Sequence, residues 1–126
     1  MLRKKPSKRV MGSRPDGGPL RCEAHLQWIR THACIVPHCE ARFVRACHVR
    51  YGLPADEPQE ERAGVGLKPG DHWAYPACDK HHREEHNGVQ SFQRKYGLDL
   101  AKIAQEYAAA SPALRKLRAK QEKQNG

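Results

Sequence analysis

The sequence is short of aromatic side chains: two Phe, two Trp and four Tyr make up 6% of 126 residues. So few large apolar groups permit only a modest core, and a chain this small then needs a staple beyond hydrophobic burial. Long apolar runs are also missing. No stretch approaches the roughly 20 apolar residues of a membrane span, and no apolar segment of signal-peptide type stands near the start. The five cysteines are too few and too unevenly placed for a dense disulfide framework. Together these absences point to a reducing, cytoplasmic setting in which thiols bind metal.

Acidic residues are missing from one end and scarce at the other. Residues 1–15 hold six basic groups and no acid, and residues 112–126 hold five against one, so by subtraction residues 16–111 carry 12 basic and 13 acidic groups. The net charge of +9 therefore resides in the ends. Such ends attract polyanions through phosphate neutralisation without reading sequence; the plainer alternative is a pair of solvated tails.

Residues 1–19 combine basic groups with Pro, Gly and Ser and read as a disordered basic arm. From Leu20 to Thr31, Cys22, Leu26 and Ile29 recur at helical spacing. CIVPHC reads as a turn and ARFVRACHVRY as a strand, with Val44, Ala46 and His48 facing one way and Phe43, Arg45 and Cys47 the other. Residues 52–71 form a long loop whose acids Asp56, Glu57, Glu60 and Glu61 are expected to point outward. HWAYPAC predicts a second strand, with Pro76 marking an edge. Asp79 is the expected N-cap of a helix through His86, stopped by Asn87-Gly88. Further helices are predicted over Val89–Tyr96, closed by Gly97; over Leu100–Ala110, capped by Asp99; and from Ser111-Pro112 onward as a basic C-terminal helix or tail over 112–126.

Two pairs of soft or borderline ligands, Cys34-x4-Cys39 and Cys78-x2-His81, suit a tetrahedral zinc ion. The alternative is that the thiols are small core hydrophobes and the histidine lies on the surface. His81 and His82 are adjacent and point about 100° apart on a helix, so they belong to separate sites. His82 and His86 share one helical face at the spacing that offers two imidazoles to one ion, although two solvated side chains would show the same pattern. His48, on the first strand, is in a position to face them. Among the remaining residues, His25, His32 and His38 read as solvated or capping groups, with His38 a competitor of Cys39 for zinc. Cys22, Trp28 and Trp73 read as core, and Glu84 and Glu85 as helix surface.

In this order, C-x4-C, a strand ending ACHVR, a loop closing KPGD and then PACDKHHREEHNG, the chain resembles the HNH endonucleases, which carry a ββα-metal core in a zinc-bound treble clef. It is most similar to the phage and prophage branch around the RecA-dependent nuclease Ref. The likeness spans about Cys34 to Gly97.

The resemblance implies an α+β fold in which Cys34, Cys39, Cys78 and His81 hold a structural zinc and His82 and His86 hold a catalytic divalent ion: magnesium, manganese or zinc. It implies that His48 is the general base, that Asp71 orients it or supports the metal, and that Lys68 contacts phosphate. Many members place a metal-binding Asp or His just before the base. Here Cys47 stands there, which suits a softer ion or a site completed by water and phosphate oxygens.

The expected domain covers 20–111 between the two basic ends, with Arg3, Lys4, Lys5, Lys8 and Arg9 as nucleic-acid contacts. The expected activity is hydrolysis of DNA phosphodiesters with low sequence specificity, in a bacterial host cell, with a recombinase filament as a further partner. The competing reading is a non-catalytic zinc module that binds nucleic acid or a recombination protein, and a third is a purely structural zinc protein.

Overall fold

The computed structural model describes residues 19–62 and 68–125. Among them it is an α+β arrangement of one antiparallel hairpin, β1 (Arg45–His48) with β2 (Ala74–Ala77), and five helices: α1 (Glu23–Ile29), α2 (Asp79–His86), α3 (Val89–Tyr96), α4 (Leu100–Ala110) and α5 (Pro112–Asn125). Two short 3-10 turns, Gln59–Glu61 and Asp71–Trp73, lie in the connection between the strands. The basic arm with Arg3, Lys4, Lys5, Lys8 and Arg9 falls outside the described residues.

The register pairs Ala46 with Pro76 and His48 with Ala74. Alternation turns Cys47 and Val49 into the core, 2% and 1% exposed, and leaves His48 on the other face. Pro76 costs the ladder nothing: its carbonyl accepts the Ile35 amide at 3.0 Å, and its missing N–H faces away from β1. The strand is shorter than its hydrophobic run suggests, because a hairpin of four paired residues leaves Phe43 (87% exposed) and Tyr51 (67%) beyond its ends. His72 and Trp73 lie in the second 3-10 turn rather than in β2.

The core gathers Cys47, Val49, Trp73, Tyr75, Phe92 and Leu100 between the hairpin and the helices. Each large apolar side chain buried there contributes about 1.5–3 kcal/mol. The helix ends of α3 and α4 follow the sequence: Gly97 closes α3 at φ 65°, and the Asp99 carboxylate accepts the Lys102 amide at 3.2 Å. At α5 the Ser111 hydroxyl accepts the Leu114 amide at 3.3 Å. This last segment is no free tail, since Leu114 is fully buried against Leu20 and Ala108.

Five expectations are corrected. In α1 the buried positions are His25 and Ile29, not the stripe of Cys22, Leu26 and Ile29. His25 is buried because Ser111 Oγ, 2.8 Å from its Nδ1, supplies a partner, and burial pushes its imidazole down to about 4. The N-cap of α2 is Cys78; Asp79 is the first helical residue and its carboxylate pairs with Arg45. Glu57 and Glu61 point inward. Glu61 Oε1 accepts the Leu20 amide at 2.8 Å, and Glu57 Oε2 accepts from His72 Nε2 at 2.9 Å and from the Trp73 indole. These bonds offset the cost of burying carboxylates. Glu85 is buried too, and accepts the Tyr75 hydroxyl at 3.3 Å.

Candidate functional site

The turn carrying Cys34 and Cys39 closes through the Cys39 amide on the Val36 carbonyl at 3.2 Å, and Cys78 and His81 stand at the start of α2. The four ligand atoms lie within 4.8 Å of one another. Cys39 Sγ is 3.9 Å from Cys78 Sγ, and His81 Nδ1 is 3.1 Å from Cys78 Sγ and 3.5 Å from Cys34 Sγ. Tetrahedral zinc, with bonds of about 2.3 Å to sulfur and 2.0–2.1 Å to nitrogen, sets its ligand atoms roughly 3.5–3.8 Å apart. The group therefore fits a metal ion such as zinc. Burial pushes the Cys34 thiol up to about 11, so thiolate there needs a cation. His38 is exposed and outside the cluster.

On β1, His48 Nε2 lies 2.9 Å from Asp71 Oδ1. Burial alone would raise the Asp71 carboxyl, but the His48 hydrogen bond, the Cys22 amide at 2.8 Å and the Arg21 guanidinium outweigh it and hold the group below the usual carboxylate range. An ionised Asp71 only accepts, so the proton must sit on Nε2 of His48, and Nδ1 is left as the basic nitrogen. Arg21 also donates to the carbonyls of Pro69 at 2.7 Å and Lys68 at 3.1 Å, which pins the stretch from Lys68 to Asp71 to the segment entering α1.

His82 and His86 lie one helical turn apart with ring centroids 4.5 Å from each other. Burial, reinforced by the positive charges of His86 and Arg45, lowers the His82 pKa and favours the neutral imidazole that can ligate a metal. Both rings and His48 line one cavity of about 340 Å³, together with Arg30, Arg50 and Lys68. Among the described residues, His48 does not join His82 and His86 in a three-ligand cluster. An ion on the two imidazoles would keep open positions.

Cys47 is not a ligand to such an ion. Its side chain is on the core face, and burial, with the Glu85 charge adding to it, pushes its thiol up to about 12. The arginines of the cavity are what sequence reasoning missed. Arg45, which opens β1, and Arg50, two residues past its end, flank the predicted base in sequence, a signal that was present, whereas Arg30 arrives from the end of α1 through tertiary packing alone.

No helix among the described residues is long and apolar enough to cross a membrane. An uncharacterised protein of Escherichia coli (strain K12), YdfU, is 33% identical over 85 residues, which cover 64% of this chain and 20% of that protein. The chain thus spans about a fifth of that relative's length. No solved structure matches. The profile of one family matches residues 4–112, most of the chain, and the chain belongs to that family, described as Protein of unknown function (DUF968).

Proposed function

We propose that the chain is a metal-dependent endonuclease of the HNH type, built on a zinc-bound treble clef with a ββα-metal core, that hydrolyses DNA phosphodiesters with little sequence preference. One observation carries this reading. A histidine oriented by a buried carboxylate, two neighbouring imidazoles on one helical face, and four cations line a single cavity.

The chemistry follows from these groups. Arg30, Arg45, Arg50 and Lys68 attract and seat the phosphodiester. Asp71 fixes the His48 tautomer, and Nδ1 takes the proton of a water as its oxygen attacks phosphorus and the bond to the 3'-oxygen breaks. A divalent ion on His82 and His86 would stabilise charge on the phosphate and on the leaving oxygen. Backbone contacts dominate such a cavity, hence the low specificity. The basic N-terminal arm would add sequence-independent affinity.

The test is nicking of supercoiled plasmid by the zinc-loaded protein with magnesium, manganese or added zinc. Relaxation that disappears in His48→Ala is the expected outcome. No nicking with any metal, or equal nicking by His48→Ala, rejects the reading in favour of a non-catalytic nucleic-acid-binding module.

A further inference from the structure

We propose that the cavity next to the reaction site is a binding site for one unpaired nucleobase, so that the preferred substrate is single-stranded or locally unstacked DNA. The proposal rests on the nuclease reading for the phosphate position and adds a second subsite to it.

This second cavity, about 390 Å³, is bordered by Tyr51, Gln90, Gln93, Arg94, Leu98 and Asp99. Arg50 lines the first cavity and Tyr51 the second. Arg50 and Tyr51 are consecutive, with Cα atoms about 3.8 Å apart, so neighbouring residues of one segment border the two cavities. In the proposed complex, a strand whose phosphate meets Arg50 sets a neighbouring base against the Tyr51 ring.

Tyr51 is 67% exposed and, among the described residues, makes no hydrogen bond or ring contact. It shares this openness with Phe43, which borders neither cavity, and differs from the rings that pair within the fold: Tyr75 with Glu85, Tyr96 with Glu84, Trp73 with Glu57. An open aromatic face beside a cationic track is the usual platform for a base, because every base has a π-face to stack.

The polar groups on the wall suit a base better than a second phosphate. Gln93 spends its carbonyl oxygen on the Leu100 amide at 2.8 Å, which leaves its NH2 to donate to a base edge. The acid on the wall, Asp99, caps α4 and disfavours an anion. A base paired and stacked in a duplex cannot enter such a recess without leaving the stack, and that costs a few kcal/mol.

The experiment is fluorescence anisotropy with one labelled oligonucleotide, single-stranded and as its duplex, using the full zinc-loaded chain in the His48→Ala background so that nothing is cut. Tyr51→Ala is expected to weaken single-strand binding about 5- to 100-fold and to leave duplex binding within about twofold, with Tyr51→Phe restoring it. Gln93→Glu, which keeps the acceptor for Leu100 and removes the donor, is expected to weaken the single strand selectively. Equal losses on both forms, or no loss on either, overturn the base site. Plasmid nicking separates the two readings. Nicking with no Tyr51 selectivity leaves the nuclease and removes the base site; selectivity without nicking leaves a nucleic-acid-binding pocket and removes the nuclease.

Discussion

His48 and Asp71 form a buried imidazole–carboxylate pair across 23 residues of sequence, Nε2 to Oδ1 at 2.9 Å, with Arg21 on the same oxygen at 3.2 Å. The strand supplies the histidine, the long connection supplies the acid, and the segment entering α1 supplies the clamp. The free nitrogen of His48, Nδ1, is thereby fixed by the fold itself.

Asp71→Asn keeps the shape and loses the fixed tautomer, since an amide can donate to Nε2 and move the ring proton to Nδ1. Nicking is expected to fall about 10²- to 10⁴-fold with zinc content unchanged. The stability profile should shift as well. The Asp71 carboxyl is held below its ordinary range when folded, so it contributes stability above its unfolded pKa, and that contribution is lost as pH falls through the folded value. The asparagine variant should lose this acid limb in thermal melts taken from neutral to acid pH.

Removal of zinc should unfold the domain rather than silence one site. Binding at a structural zinc site is worth about 10–16 kcal/mol at neutral pH, against about 5–15 kcal/mol for the net stability of a whole domain. One zinc per chain by elemental analysis is expected, and Cys39→Ser or Cys78→Ser should abolish both zinc retention and the cooperative melt. A variant that loses zinc and still melts cooperatively would contradict this.

The Tyr75–Glu85 hydrogen bond ties β2 to α2 and so sets how the two histidines of α2 stand over β1. Tyr75→Phe strands a buried acceptor and should cost about 1–3 kcal/mol in denaturant unfolding. Burial raises the Glu85 pKa despite the opposing charges of His86 and Arg50 and the Tyr75 hydrogen bond. The protonated form therefore suits the fold, and stability on this account is present at low pH and lost as pH rises through the folded pKa. Glu85→Gln should raise the melting temperature above neutral pH, with the gain shrinking toward pH 4.

Gly70 precedes Asp71 at a point where a methyl group has no room: a Cβ there would collide with the Glu61 carboxylate and come within 2.6 Å of His72 Cε1. Gly70→Ala should cost about 1–3 kcal/mol through overpacking and, by displacing Asp71, reduce nicking more than it reduces zinc binding.

The local part of this structure was legible in the sequence. Gly97, Asp99 and Ser111-Pro112 mark helix ends because capping is decided by neighbours in the chain, and the four residues that could hold a metal follow from two short spacings. The acids of the long connection were not legible. A charged residue in a loop without periodicity is expected in solvent, and partners 15, 16 and 41 residues away, at His72, Trp73 and Leu20, help to make Glu57 and Glu61 tolerable inside. The same holds for His25, whose partner Ser111 is 86 positions distant. In the cavity, the histidines declare themselves by spacing, but Arg30 belongs to it only because α1 packs against the hairpin.

Two rows run along α2, His81 with Glu85 on the buried side and His82 with His86 on the cavity side. They are one residue, about 100°, out of phase. Deleting one residue of this helix ahead of His81 would rotate both rows by that angle, bringing His82 to the buried side and carrying His81 out of the Cys/His cluster to the exposed place of Lys80. The helix therefore has one permitted phase, and lineages that vary freely in the connection between the strands should show α2 invariant in length.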